Sequence, residues 1–150
     1  MTGHNRIAVI HGVNLDQLGR RPAAIYGDIT FTQLEQGISR SASELGLKVS
    51  FFQSNDESEL IEHLHGLEGI ADGILINPGA WTHYAWSIRD ALEIAALPTV
   101  EIHLSDPETR EEWRHVSVVR ELCFATVKGK GPDGYHEALT LLRDHLEKTT

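Results

Sequence analysis

Residues 98–105 read Pro-Thr-Val-Glu-Ile-His-Leu-Ser, an apolar and β-branched run that carries a carboxylate, Glu101, and an imidazole, His103. The β-branched residues favour a strand, and strand alternation directs the two polar side chains to one face. A buried carboxylate or imidazole is costly unless it has a partner, so these side chains need each other or a ligand. Ligands of parallel sheets bind beyond the carboxyl ends of the strands. The run is therefore predicted to be a strand that ends at a binding site.

Apolar runs on both sides of this stretch predict four more strands. The segments between them carry apolar residues at helical spacing. The clearest helix begins after Thr30, where Gln33 completes a capping box, and ends at Gly46. Another helix is predicted over about 84–96. The four further strands are predicted at 7–10, 47–53, 73–77 and 122–127.

The alternation of strands and helices predicts the fold class. Helical connections between consecutive strands imply right-handed crossovers and a parallel sheet. The predicted fold is therefore an α/β, doubly wound, five-stranded parallel sheet of flavodoxin-like order, with helices on both faces in three α/β/α layers. A chain of 150 residues can bury one core, so a single domain is predicted over residues 1–150.

Composition restricts the classes of partner. The formal net charge of -9 argues against nucleic acid or an anionic membrane. No segment is apolar enough for a membrane span or a signal peptide, so a soluble, cytoplasmic protein is expected. Cys123 lies in an apolar run and is expected in the core. His63 and His65 are two residues apart and do not share a helical face, so no metal site is expected.

Polar residues collect where the predicted strands 1, 3 and 4 end. Arginines and backbone amides suit a carboxylate, while asparagine and histidine suit hydroxyls. The set therefore favours a small, anionic, polyhydroxylated ligand without naming a reaction. Its members are Asn14, Arg20, Arg21, Tyr26, Asn77, His83, Glu101, His103, Ser105 and Arg114.

Six segments carry a resemblance to a known family. They read Gly-Val-Asn-Leu-Asp-Gln-Leu-Gly-Arg-Arg-Pro-Ala-Ala-Ile-Tyr-Gly at 12–27, Gln-Ser-Asn at 53–55, Ile-Asn-Pro-Gly-Ala-Trp-Thr-His at 76–83, Arg-Asp-Ala at 89–91, Val-Glu-Ile-His-Leu-Ser at 100–105 and Arg-Glu-Glu-Trp-Arg-His at 110–115. In this order and spacing they resemble a divergent member of the type II 3-dehydroquinate dehydratase (3-dehydroquinase) family. The resemblance implies a flavodoxin-like fold. It also implies a cofactor-free trans elimination of water from 3-dehydroquinate through an enolate, giving 3-dehydroshikimate in aromatic biosynthesis or quinate breakdown.

The resemblance also implies catalytic roles. Tyr26 matches the family's base, and Arg21 matches the lid arginine that favours tyrosinate. Asn14 matches the residue that helps to hold a water facing the enolate. His103 matches the general acid for the departing hydroxyl, with Glu101 orienting it and supporting its protonated form.

Six further positions match the family's substrate-binding residues. Members of the family are usually trimers assembled into dodecamers, so a homo-oligomer is expected. The matching positions are Asn77, Leu104 and Ser105 around the carboxylate, the last two through backbone amides, His83 and Arg114 at the ring hydroxyls, and Asp90, which reaches a neighbouring subunit's site.

Several positions depart from the family pattern. His11 stands where asparagine is usual, Asp106 also replaces an asparagine, and Val116 replaces a histidine. Pro22 favours extended backbone at the preceding residue and could move the lid arginine. Arg120 enters a usually apolar segment. The alternative is therefore a repurposed or inactive homologue that binds a related cyclic polyhydroxy carboxylic acid, and a flavin or nucleotide module is a more distant one.

Structural interpretations also exist for the individual site residues. Glu101 and His103 could be a satisfied buried pair that fixes the end of a strand. Tyr26 could be a packed loop aromatic, and Arg114 a solvated charge. Asp90 is most simply part of a surface or interface ion pair.

Overall fold

Five parallel strands form the central sheet. The computed structural model describes residues 3–149, so residues 1, 2 and 150 of the predicted domain lie outside the described residues. The strand order is β2-β1-β3-β4-β5, with every neighbouring pair parallel. This is the flavodoxin-like order, so the predicted fold class is confirmed. The strands are β1 Arg6–His11, β2 Lys48–Gln53, β3 Gly73–Asn77, β4 Thr99–His103 and β5 Ala125–Lys128.

Within residues 3–149, five α-helices connect the strands or follow them. The capping box at Thr30 and Gln33 is present at the start of the second helix. The fourth helix begins two residues later than predicted, because Tyr84 closes a preceding 3-10 turn over Gly79–His83. The helices are α1 Ala23–Tyr26, α2 Phe31–Glu44, α3 Glu57–His65, α4 Trp86–Ala95 and α5 Gly134–Lys148.

The fifth strand begins later than predicted. Leu122 was expected at its start, but this residue ends a 3-10 turn over Arg120–Leu122. The carbonyl of Arg120 accepts the Cys123 amide, which keeps the apolar run in a turn. The first paired residue of β5 is Ala125. An apolar run alone does not distinguish a strand from a buried turn.

Two hydrophobic cores cover the sheet, one on each face. Side chains of α2 and α5 pack in the first core together with Val100, Ile102 and Leu104 of the β4 region. Side chains of α3 and α4 pack in the second core. Because strand residues alternate, Glu101 and His103 point away from the first core.

No helix within residues 3–149 is long and apolar enough to cross a membrane.

Two glycines hold the loops after β1 and β3 against each other. The Gly12 amide donates to the Asn77 carbonyl at 2.7 Å, and a Cβ on Gly12 would lie 2.1 Å from the Pro78 carbonyl oxygen. Gly79 has φ 67°, and a Cβ there would lie 2.6 Å from the Val13 carbonyl oxygen. Only glycine fits such approaches of backbone to backbone. The carboxyl ends of β1 and β3 are therefore fixed side by side.

Candidate active site

A cavity of about 160 Å³ opens beyond the carboxyl ends of β1, β3 and β4. Its position is the one expected for a ligand site in an open parallel sheet. Nine of the eleven residues predicted for the site line it. They are Asn14, Arg21, Tyr26, Asn77, His83, His103, Leu104, Ser105 and Arg114.

The remaining two predicted residues lie elsewhere. Glu101 is buried behind His103 and reaches the cavity only through it. Asp90 is exposed on α4 and does not line the cavity of its own chain. Arg20, a weaker candidate, is also exposed, and its guanidinium donates to Gln17.

Glu101 and His103 form a buried pair at the end of β4. His103 Nε2 lies 2.6 Å from Glu101 Oε2, which leaves the other ring nitrogen for the cavity. The Ser117 hydroxyl donates to Glu101 Oε1 at 3.0 Å. Burial alone would raise the pKa of Glu101, but His103, the Arg120 guanidinium and Ser117 outweigh it and lower that pKa. The carboxylate therefore stays ionised and can support a proton on His103.

Tyr26 lies on the one-turn helix α1, in the segment between β1 and α2 that the resemblance implies to be a lid. The guanidinium of Arg21 donates to the phenol oxygen at 2.7 Å and also lies 4.1 Å from the ring centroid. A cation that donates to this oxygen stabilises negative charge on it. Pro22 is the N-cap of α1, and Arg21 reaches Tyr26 from the position before it. The proline therefore does not separate the arginine from the tyrosine.

Arg110 is a site residue for which the sequence predicted no role. Its guanidinium lies 5.1 Å from the Tyr26 ring centroid, and it donates to the Ser105 hydroxyl at 3.4 Å. With Arg21 and Arg114 it brings three cations to the cavity. A local basic pocket in an acidic protein suits an anionic ligand. Arg110 opens the segment 110–115 that carries part of the resemblance, and its spacing of four from Arg114 is a further signal that could have indicated it.

His83 is held in one tautomer. Its Nδ1 lies 2.7 Å from the Val116 carbonyl oxygen, so Nδ1 carries the proton and donates it. Burial lowers the pKa of His83, which favours the neutral ring. Nε2 is then an acceptor suited to a ligand hydroxyl. Val116 contributes only its carbonyl, so the departure at that position leaves the contact intact.

Asparagines hold the neighbouring loops. Asn77 Oδ1 accepts the Gly79 amide at 3.0 Å, which leaves its Nδ2 to donate. Asn14 has φ 67°, a left-handed conformation that asparagine tolerates. Its backbone amide donates to Asn55 Oδ1 at 2.8 Å. Both side chains line the cavity and can donate hydrogen bonds to a bound oxygen or water.

Asp106, which stands where the family usually has an asparagine, does not line the cavity. Its Oδ1 accepts the Glu108 amide at 3.0 Å and lies 3.8 Å from Lys128 Nζ. The carboxylate therefore caps the 3-10 turn Pro107–Thr109 and faces a cation. Both contacts reduce its effect on the three arginines.

His11 is wholly buried at the end of β1, beside Asn77 of β3. Its Nε2 lies 3.2 Å from Glu35 Oε2, and the ring packs against Phe31 and Phe51. Burial lowers the pKa of His11 to about 4 and raises that of Glu35. His11 is therefore neutral near pH 7. It supports the strand beneath the cavity and does not line it.

Comparison with known proteins identifies the family of this chain. The model of the family described as Dehydroquinase class II matches residues 5–143. The chain belongs to the class II dehydroquinase family. The resemblance read from the six sequence segments is thereby confirmed.

Within residues 3–149, no group of three or more His, Cys, Asp or Glu side chains is arranged to hold a metal ion.

Individual class II dehydroquinases agree with this chain in sequence and in structure. The 3-dehydroquinate dehydratase of Caldicellulosiruptor bescii is 43% identical over 144 residues, which are 95% of this chain and 99% of that protein. The 3-dehydroquinate dehydratase of Thermotoga neapolitana is 45% identical over 138 residues, 92% of this chain and 94% of that protein. The crystal structure of the type II dehydroquinase of Butyrivibrio crossotus matches with a TM-score of 0.89 at 38% identity, covering 93% of this chain and 97% of that one.

Proposed function

We propose that this protein is a type II 3-dehydroquinate dehydratase, a hydro-lyase that removes water from 3-dehydroquinate and releases 3-dehydroshikimate. The observation that carries the proposal is the arrangement of two pairs around one cavity. Tyr26 with Arg21 supplies a base, and His103 with Glu101 supplies an acid. A β-elimination through an enolate requires these two functions.

Tyr26 performs the first step. Its phenolate oxygen, stabilised by Arg21, takes a proton from the carbon next to the ketone, and the electron pair of that C–H bond moves into the enolate. A water molecule held by Asn14 donates a hydrogen bond to the enolate oxygen. Stabilising this developing charge is the largest single term that such a site can supply.

His103 performs the second step. The enolate collapses to the ketone and the electron pair of its carbon–carbon double bond forms the new conjugated double bond. The C–O bond to the hydroxyl breaks, and the ring nitrogen that faces the cavity donates a proton to the departing oxygen. Glu101 supports the charged imidazole before the transfer. The protons on Tyr26 and His103 then return to their starting distribution through solvent.

The remaining lining residues hold the substrate. The backbone amides of Leu104 and Ser105, together with the Asn77 side chain, bind its carboxylate. His83 accepts from a ring hydroxyl through Nε2, and Arg114 donates to another. This division follows the general fit of amides to carboxylates and of neutral imidazole to hydroxyls.

The proposal includes a homo-oligomer of trimers, assembled into a dodecamer in the cytoplasm. Asp90 is exposed on α4, and the neighbouring Trp86 is 62% exposed. A large exposed aromatic residue beside a charged one is common at protein interfaces. In this arrangement Asp90 reaches the site of the adjacent subunit.

Turnover of 3-dehydroquinate, followed by the ultraviolet absorbance of the conjugated product, tests the function. Tyr26→Phe is expected to lower kcat by at least about 1,000-fold without changing the fold. Tyr84→Phe removes the same hydroxyl from an exposed tyrosine outside the cavity and should retain full activity. Near-normal turnover by Tyr26→Phe would refute the assigned base. Binding of an enolate-mimicking acid without any turnover would instead support the repurposed homologue.

A further inference from the structure

Glu101 has more neighbours than its role toward His103 requires. Oε2 faces His103, but Oε1 accepts from Ser117 and lies 3.7 Å from Arg120 Nε. That Nε is itself buried and has no hydrogen-bond partner. Glu101 is fully buried, so its attraction to the guanidinium is screened less than that of a surface ion pair.

Arg120 also begins a chain of charges that leads to the surface. Its Nη1 lies 4.0 Å from Glu108 Oε1, and Glu108 Oε2 lies 2.7 Å from Lys128 Nζ. Glu108 is half-exposed, whereas Glu101 is buried. Arg120 therefore lies between one carboxylate in the site and another at the protein surface.

We infer that Arg120 is a positioning residue for the catalytic pair, whose guanidinium draws on Glu101 Oε1 and so limits how firmly the pair holds the proton that His103 donates. The inference rests on the proposed function of His103. Two cations compete for one carboxylate, so each is stabilised less than it would be alone. A less firmly held proton passes more readily to the leaving hydroxyl.

Other charged and titratable groups also face this pair. From the 3-10 turn Gly79–His83, His83 lies close enough to interact with both members, but its neutral ring adds no full charge. Cys123 follows the turn that carries Arg120, and burial raises its pKa to about 12, so it stays a neutral thiol. Across the cavity stand Tyr26, Arg21, Arg110 and Arg114. Of the cationic side chains within residues 3–149 that do not line the cavity, Arg120 is the one that forms an ion pair with Glu101, at 3.7 Å.

The pH profile of kcat tests the inference with Arg120→Gln. Loss of the cation should shift the midpoint of the alkaline limb of the kcat profile to a pH higher by about 0.5–1 unit. It should also lower the plateau of kcat by about three- to tenfold. KM should change by less than about twofold, because Arg120 does not line the cavity. Arg120→Lys keeps the charge and should restore most of both effects. Arg40→Gln removes an exposed arginine on α2 and is the matched control.

Glu108→Gln provides a test that does not alter Arg120. Without its outer partner, Arg120 acts more strongly on Glu101, so the alkaline limb should move downward by a few tenths of a pH unit. The opposite signs for the two variants distinguish charge from packing. The inference is overturned if Arg120→Gln leaves the limb unmoved, or if Arg120→Lys and Arg120→Gln shift it equally. If the glutamine variant does not fold, the lysine and Glu108→Gln variants decide the question.

A second readout separates this inference from the proposed function. Exchange of the histidine C2 hydrogen for deuterium, followed by mass spectrometry across pH, gives the titration midpoint of His103 without any turnover. Absence of turnover in the wild-type protein would refute the proposed function alone. The midpoint of His103 would still have to rise in Arg120→Gln and fall in Glu108→Gln, and unchanged midpoints would overturn the inference.

Discussion

Arg21 contacts Tyr26 twice, through a hydrogen bond to the phenol oxygen and through its position over the ring. Arg21→Gln keeps a side-chain donor but shortens the side chain and removes the charge. We expect kcat to fall about 100-fold, since the charge-assisted contact that stabilises the phenolate base is lost. KM should stay within about threefold, because most of the binding contacts remain.

Steady-state kinetics on purified Arg21→Gln, with the adjacent Arg20→Gln as control, measures this loss. Arg20 is exposed, and its guanidinium donates to Gln17 rather than to the site. Equal effects of the two substitutions would mean that the lid responds to its total charge. A loss confined to Arg21→Gln assigns the effect to the contact with Tyr26.

Among the site residues, residue spacing alone predicted a contact only within a strand. The spacing of Glu101 and His103 in β4 indicated their pairing, because strand alternation fixes the direction of both side chains. Arg110, Ser117 and Arg120 lie in the irregular segment between β4 and β5. No repeating geometry fixes directions there, so their approach to Tyr26 and Glu101 could not be derived.

The loop after β1 depends on the glycine at its start. Gly12→Ala would place a Cβ 2.1 Å from the Pro78 carbonyl oxygen, where neither backbone segment can yield without moving. We expect a loss of about 2–4 kcal/mol in the free energy of unfolding, because the site is overpacked and the backbone hydrogen bond from Gly12 to Asn77 is weakened. Activity should fall as well, because Asn14 lies in the displaced loop.

Urea unfolding at one fixed protein concentration measures this loss, with Gly37→Ala as the matched control. Gly37 lies within α2, and a Cβ there meets nothing within 4 Å. Alanine should therefore stabilise the helix by about 0.5–1 kcal/mol. Similar stability of Gly12→Ala and the wild-type protein would show that the two loops can separate at little cost.

Elements with a long periodic pattern were predicted well, and short ones were not. The helix α2 follows from its capping box and its apolar spacing over 14 residues. The lid helix α1 spans four residues, fewer than periodicity can indicate. Leu122, which was predicted to open β5, ends a 3-10 turn, and the first residue of β5 in register with β4 is Ala125.

Strand order explains how distant parts of the chain meet at one site. In the order β2-β1-β3-β4-β5 the carboxyl ends of β1, β3 and β4 are adjacent, which brings Asn14, Asn77 and His103 to one cavity. This convergence followed from the alternation of strands and helices. The proposed partner of Asp90 could not be derived, because in that proposal it belongs to a second copy of the chain.

The buried His11 makes the stability of the whole molecule depend on pH. Its pKa is about 4 in the folded protein, below the ordinary value of 6.5, because burial disfavours the charged ring. Between these values the unfolded chain binds more protons than the folded protein does. The contribution of His11 to the free energy of unfolding is therefore complete above pH 6.5 and is lost as the pH falls to 4. The loss is on the order of 3 kcal/mol. Glu35, whose pKa burial raises, acts in the opposite direction and offsets part of it.

His11→Asn should therefore flatten the dependence of unfolding on acid. The free energy of unfolding, measured in urea at pH 7 and pH 4.5 and at one protein concentration, should fall less in this variant than in the wild-type protein by about 2 kcal/mol. His65→Asn removes an exposed imidazole from α3 and should leave the wild-type dependence unchanged. An equal loss of unfolding free energy in acid for His11→Asn and the wild-type protein would mean that carboxylates set the stability in acid. The buried ring beside Asn77 would then not set it.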